Sequence, residues 1–156
     1  MVPRSLPIPP RQRRGVPAPS SEEAHRRMVA TRRADTGPER QLRSELHCLG
    51  LRFRLHRQVV RGVRRQVDIV FGPARVAVLV DGCFWHGCPK HGTMAKANAA
   101  FWSEKIAANK RRDVDTNRRL TEEGWRVIRV WEHEDPARAA QRIARVVERR
   151  RPIPDS

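Results

Sequence analysis

The 156-residue chain has no tyrosine, four phenylalanines, four tryptophans and only three cysteines. So few cysteines exclude a disulfide scaffold standing in for a core, and in a reducing compartment they stay available to a metal. Acid is scarce as well: 17 Asp and Glu face 33 Lys and Arg, a formal charge of +16. That imbalance favours a polyanionic partner, nucleic acid first, because each phosphate neutralised releases condensed counterion. No apolar window approaches a membrane span. The opening MVPRSLPIPPRQRRGVPAPSS lacks the sustained apolar stretch of a secretory signal. The expected setting is the cytoplasm, in association with the nucleoid, and no membrane partner is expected.

This length suits one domain with a genuine core and is short for two. Residues 1–21 hold six prolines, four arginines and no acid, which predicts a disordered basic arm. The charge is not confined there: residues 1–21 and 137–156 each hold +4, leaving +8 between them. The domain is expected over 22–150, with 151–156 as a tail. Ser20 with Glu23 has capping-box spacing and predicts a short helix through EEAHRRMVATRR. Thr36 with Glu39 opens a second, whose Leu42, Leu46 and Leu49 share a face and which Gly50 ends. Leu51, Phe53 and Leu55 alternate with Arg52, Arg54 and His56 at strand spacing, and RQVVRGVRR turns around Gly62. Two β-rich runs follow, VDIVF (67–71) and RVAVLVD (75–81), joined by Gly72-Pro73. Residues 98–120 contain no proline or glycine and predict a long helix, WRVIRVW (125–131) a strand, and 137–150 a helix with Ala139, Ile143, Val146 and Val147 on one side. This order predicts an α/β fold, a mixed sheet flanked by helices.

The chemistry concentrates in VDGCFWHGCPKHG, residues 80–92. Cys83 and Cys88 at C-x4-C, with His91 following, need one further nitrogen or sulphur ligand to close a tetrahedral zinc site. His133 supplies it if strands 75–81 and 125–131 lie side by side; His86 is the rival. The alternative is that both cysteines are small buried hydrophobes. Asp68 sits among Val67, Ile69 and Val70, where a carboxylate is costly to desolvate without a partner. With Asp81 at the neighbouring strand end and the Val80 carbonyl, it offers the oxygen set that Mg²⁺ prefers. A salt bridge from Asp68 to Arg61, Arg64 or Arg65 is the competing account. His86 is then placed to move protons near neutral pH. Phe84-Trp85 and Phe101-Trp102 bracket this loop; adjacent rings cannot all face one core, and an exposed ring beside a basic surface can stack on or wedge between bases. Lys105, Asn109 and Arg112 follow at i, i+4 and i+7, either a solvated face or a stripe that reads base edges.

The segments TGPE (36–39), GLRFRLHR (50–57), VDIVF, VAVLVDGCFWHGCPKHG, FWSEKIAANKRRD (101–113) and GWRVIRVWEHE (124–134) together closely resemble the very-short-patch mismatch repair endonucleases, the Vsr family. The resemblance covers about residues 24–134. It implies a PD-(D/E)xK, restriction-endonuclease-like domain with a structural zinc, which finds a T:G mismatch in double-stranded DNA and nicks the backbone 5′ of the thymine with Mg²⁺. By position it implies that Asp68 and the Val80 carbonyl bind Mg²⁺, that His86 is the active-site histidine, and that Cys83, Cys88, His91 and His133 hold Zn²⁺. Phe84, Trp85 and Trp102 match an aromatic wedge entering from the major groove, Met28 a minor-groove intercalating side chain, and Lys105 and Asn109 residues that contact the mismatched pair. Glu39 matches an acid near the active site and also completes the Thr36 capping box, the role given more weight.

Two departures from the family pattern stand out. Val67 replaces the usual proline before the catalytic aspartate, after a slightly longer loop. Asp81 stands where some relatives have histidine, so its role divides between binding metal and orienting water. The implied partners are mismatch-repair proteins and an associated cytosine-5 methyltransferase, and a monomer suffices because a nick needs one active site. Two other readings share the charge and the zinc: a nuclease of the same fold with another target, and a catalytically silent DNA-binding module.

Overall fold

The computed structural model describes residues 36–83, 86–90 and 98–152. Helix α1, Gly37–Cys48, starts where Thr36 stays extended and its hydroxyl accepts the Glu39 N–H, a long bond of 3.5 Å. It ends with Gly50 at φ 74°, a left-handed turn that glycine takes without a Cβ penalty. There Leu51 N–H donates to Leu46 C=O at 3.1 Å and Gly50 N–H to His47 C=O at 2.9 Å, which satisfies the last carbonyls. Leu51 thereby joins Leu42 and Leu46 in the core. This explains why the first strand starts later than the alternation from Leu51 predicts: β1 is Arg54–Arg57.

The other strands are β2, Val67–Phe71, β3, Val76–Asp81, and β4, Arg126–Trp131. They form one sheet in the order β1-β2-β3-β4. The first two pairings are antiparallel and β3 pairs with β4 in parallel. Parallel neighbours need a long crossover, and helix α2, Ala99–Glu122, provides it. Helix α3, Pro136–Arg150, is capped by the Asp135 side chain, which accepts from Arg138 N–H. The predicted turns at Gly62 and Gly72-Pro73 are present, the latter closed by Arg75 N–H on Gly72 C=O at 3.0 Å.

Side-chain alternation along β3 divides the core between the two sheet faces. Val76 and Val78 pack with Leu42, Leu46, Ile143 and Val147 of α1 and α3. Ala77 and Leu79 pack with Val67, Val70 and Leu120 of α2. A strand covered on both faces reads as a nearly continuous apolar run, as VAVLV does. Removing a fully buried branched side chain such as Ile143, 0% exposed, costs roughly 2–5 kcal/mol. The helix expected through EEAHRRMVATRR lies outside the described residues.

Candidate active site and metal centres

Strands β2 and β3 stay in register from Phe71 and Val76 to Ile69 and Val78. Beyond that pair the Asp68 carboxylate enters the ladder, its Oδ2 accepting the Val80 N–H at 2.8 Å. One residue on, the Asp81 carbonyl turns towards β4 and accepts the Glu132 N–H at 3.0 Å. Neighbouring residues of a strand present their backbone groups to opposite sides, so the Val80 carbonyl faces β2 and Asp68. Glu39, from the first turn of α1 and 5% exposed, approaches the same point. Ligand atoms of Glu39, His56 and Asp68 all lie within 4.8 Å of one another. Burial pushes the Asp68 carboxyl up to about 6; the Val80 N–H opposes this and Glu39 adds to it. Arg65, one candidate partner for Asp68, is engaged elsewhere, on Asp115 at 3.1 Å and the Thr116 hydroxyl.

Asp81 belongs to a second cluster, with His86 and Asp113. Arg129 Nη1 donates to Asp81 Oδ1 at 2.6 Å, and its Nε donates to Asn117 Oδ1 at 3.0 Å. His86 Nδ1 lies 2.6 Å from Asp113 Oδ2 and 3.7 Å from Asp81 Oδ1. A carboxylate accepts only, so Nδ1 carries the proton and Nε2 is left for exchange. Burial lowers the His86 pKa, but the Asp113 hydrogen bond and the charge of Asp81 outweigh it and leave it raised. Asp113 is pushed up by burial, yet the His86 bond and the Arg129 charge hold it below the usual carboxylate range. Asp81 is 4% exposed and burial raises its pKa against the pull of Arg129. The two aspartates expected to share one ion therefore divide: Asp68 turns to Glu39 on the α1 side, Asp81 to Arg129 and Asp113 on the α2 side.

The third cluster is Cys83, Cys88 and His133. His133 Nδ1 lies 3.1 Å from Cys83 Sγ and 3.7 Å from Cys88 Sγ. The expected juxtaposition follows from the parallel register, in which Asp81 pairs with Trp131. His86, the rival ligand, faces the acids. Burial and the neighbouring Cys88 and Glu132 push the Cys83 thiol up to about 11, so a neighbouring cation would be needed to favour its thiolate near neutral pH. The loop is fixed by Cys83 N–H on Glu132 Oε1 at 2.7 Å and Cys88 N–H on Cys83 C=O at 2.9 Å. Gly87, at φ 60°, crosses α2 so closely that a Cβ there would lie 2.7 Å from Lys110 Cε.

Trp102 and Phe101 are both half-buried in the first turns of α2, their rings edge-on at 5.2 Å. Lys105 is exposed and stands over the Phe101 ring at 5.7 Å. Asn109 is half-buried further along the helix. Met28, Phe84, Trp85 and His91 lie outside the described residues. Sequence reasoning missed His56, Asp113 and Arg129. Asp113 was within reach, since it continues the Lys105–Asn109 spacing by another four residues.

A family profile described as DNA mismatch endonuclease Vsr matches residues 20–91. The type II nicking enzyme V.NaeI of Lentzea aerocolonigenes is 48% identical over 121 residues, 76% of this chain and 73% of that protein. The type II nicking enzyme V.XorIIP of Xanthomonas oryzae pv. oryzae is 44% identical over 117 residues, 74% of this chain and 83% of that one. The DNA mismatch endonuclease Vsr of Escherichia coli K12 is 40% identical over 109 residues, 68% of this chain and 65% of that protein. In fold, the chain is similar to the catalytic domain of the homing endonuclease I-Bth0305I, with a TM-score of 0.50 at 21% identity over 74% of this chain and 98% of that one. With the hairpin acids, the paired histidine and the sulphur–imidazole cluster in place, these relationships establish that the chain belongs to the Vsr family of DNA mismatch endonucleases.

Proposed function

We propose that this protein is a Mg²⁺-dependent nicking endonuclease that recognises T:G mismatches left by deamination of 5-methylcytosine and hydrolyses the phosphodiester 5′ of the thymine. The observation that carries this reading is the half-buried Asp68 carboxylate, held by the Val80 N–H at 2.8 Å and grouped with Glu39. Asp68 and the Val80 carbonyl, on the β2–β3 hairpin expected of a PD-(D/E)xK nuclease, and Glu39 from α1 are the oxygen donors a hard divalent ion takes. When bound, Mg²⁺ supplies polarisation of a phosphoryl oxygen and offsets charge on the leaving oxygen. The Val80 N–H fixes the Asp68 rotamer and leaves Oδ1 for the ion. His86, its Nδ1–H on Asp113, presents Nε2 to take the proton of an attacking water. Asp81, held by Arg129 at 2.6 Å, keeps the imidazole in place and strengthens its affinity for that proton.

Zinc fits the sulphur–imidazole cluster. Zn–S and Zn–N bonds of about 2.3 and 2.0 Å give tetrahedral S···N edges of roughly 3.5 Å, which the 3.1 and 3.7 Å separations bracket. Cys83, Cys88 and His133 would hold it with His91 as fourth ligand, bracing the loop that carries Phe84 and Trp85. A mispaired step costs less to unstack than a matched one, so Phe84, Trp85 and Trp102 from one groove and Met28 from the other convert that difference into selectivity. Lys105 and Asn109 contact the opened pair. A cytosine-5 methyltransferase, which creates the vulnerable base, is the implied companion enzyme. The test is a strand-resolved nicking assay on T:G, T:A and C:G duplexes, with Mg²⁺ and with chelator. Cleavage of the thymine strand of T:G alone, abolished by chelator, is expected; equal cleavage of all three would refute mismatch recognition.

A further inference from the structure

We propose that His56 is a third protein ligand at the Asp68–Glu39 site, which biases it towards a first-row divalent transition-metal ion over Mg²⁺. The inference rests on the reading that Asp68 holds the catalytic ion. Three non-glycine residues among those described have positive φ: Arg75, Asn98 and His56. Arg75 closes the turn after Gly72, and Asn98, a residue type that tolerates the left-handed region, stands in the turn before α2. His56, at φ 48°, is inside a β-strand. The register that pairs Leu55 with Ile69 and Arg57 with Val67 sets it opposite Asp68.

The left-handed residue has a directional consequence. Phe53 and Leu55 pack against the core beneath α1, so regular alternation would send the His56 side chain to the other face. A break at His56 returns the ring to the face from which Glu39 approaches. The opposite strand breaks its alternation at the same pair: Ile69 packs on the α1 face and Val67, two residues away, on the α2 face. The β1–β2 register is the same on both sides of this pair, so the side chains are re-aimed without an inserted residue. The outcome is one imidazole and two carboxylates with ligand atoms within 4.8 Å of each other. Oxygen-only sets suit Mg²⁺; adding an imidazole nitrogen favours first-row transition ions.

Full-length protein carrying one equivalent of zinc per chain, with excess removed and without DNA, can be titrated with Mn²⁺ while free ion is followed by electron paramagnetic resonance, and Mg²⁺ affinity obtained by competition. Wild type should bind Mn²⁺ at least about tenfold tighter than Mg²⁺ and show nitrogen coupling in the pulsed spectrum. His56→Asn tolerates the left-handed backbone, and His56→Gly adopts it freely. Both should lose the coupling and weaken Mn²⁺ by about tenfold while changing Mg²⁺ by less than about threefold. Coupling that persists in both variants, or unchanged Mn²⁺ affinity, overturns the assignment. Asp68→Asn separates the two levels. If it abolishes Mn²⁺ binding while the His56 variants do not alter it, only the role of His56 falls. If Asp68→Asn leaves Mn²⁺ binding intact, the cation site itself is misplaced and both readings fall.

Discussion

The proposed function makes the Asp68 carboxylate a cation ligand kept at the expense of the fold, so Asp68→Asn is predicted to stabilise the protein in Mg²⁺-free buffer while abolishing nicking. Burial and the nearby Glu39 raise its pKa from 3.8 to about 6. A group raised above its unfolded value contributes stability that is fully present below pH 3.8 and is lost as the pH rises through about 6. The loss reaches about 3 kcal/mol at pH 8, falling to about 1.5 at pH 5 and about 0.5 at pH 4. Asparagine has nearly the same shape, keeps an oxygen for the Val80 N–H, and can donate from its amide to Glu39. At about 3 °C per kcal/mol for a domain of this size, the variant should melt roughly 9 °C higher at pH 8 and within about 2 °C of wild type at pH 4. Thermal unfolding should be followed in Mg²⁺-free buffer without chelator, so that zinc is retained. Adding Mg²⁺ should raise the wild-type melting temperature and leave the variant unchanged. A variant no more stable than wild type at pH 8, or a gain of equal size at pH 4, would refute the reasoning.

The remaining predictions test the proton relay and the zinc clamp. Because Asp113 and Asp81 raise the His86 pKa, Asp113→Asn should move the acidic limb of the single-turnover nicking profile at saturating Mg²⁺ to lower pH. It should also slow the plateau by about 10- to 100-fold as the ring loses its orientation; an unmoved limb would remove His86 from the proton step. Purified protein should release about one zinc per chain to a chelating dye, and Cys88→Ser should release none and melt at least about 5 °C lower. A zinc-free wild-type preparation with full stability would exclude the clamp.

The fold was legible wherever one periodicity or one cap dominates. The Thr36 cap, the Gly50 stop, the proline- and glycine-free stretch of α2 and the double-sided apolar run of β3 each follow from local rules, and each is present. The Cys83–His133 meeting was legible at longer range, because two apolar strands separated by a helix predict a parallel pair with aligned ends. What escaped depended on register and on local breaks in it. Nothing in GLRFRLHR announces a left-handed histidine, because histidine tolerates either conformation and the alternation of Leu51, Phe53 and Leu55 runs unbroken up to it. Asp81 and Asp68 look equivalent as acids at adjoining strand ends; Arg129, three-dimensionally beside one of them, makes them different. Glu39 satisfies a capping-box pattern completely, and the pattern conceals that its side chain is buried against a second carboxylate.

The three clusters are serial positions along one strand. Val80 turns its backbone towards β2 and so serves Asp68. Asp81 turns its backbone towards β4 and its side chain towards α2, and so meets Arg129, His86 and Asp113. Cys83, just past the end, reaches His133 because β4 ends level with β3. A slip of β4 by one residue would exchange the faces of Ile128 and Arg129, bury a guanidinium in the α1 core and draw His133 away from both sulphurs. The parallel β3–β4 register therefore ties the Cys83–Cys88–His133 cluster to the Asp81–His86–Asp113 cluster, and the β2–β3 pairing ties both to Asp68 and Glu39.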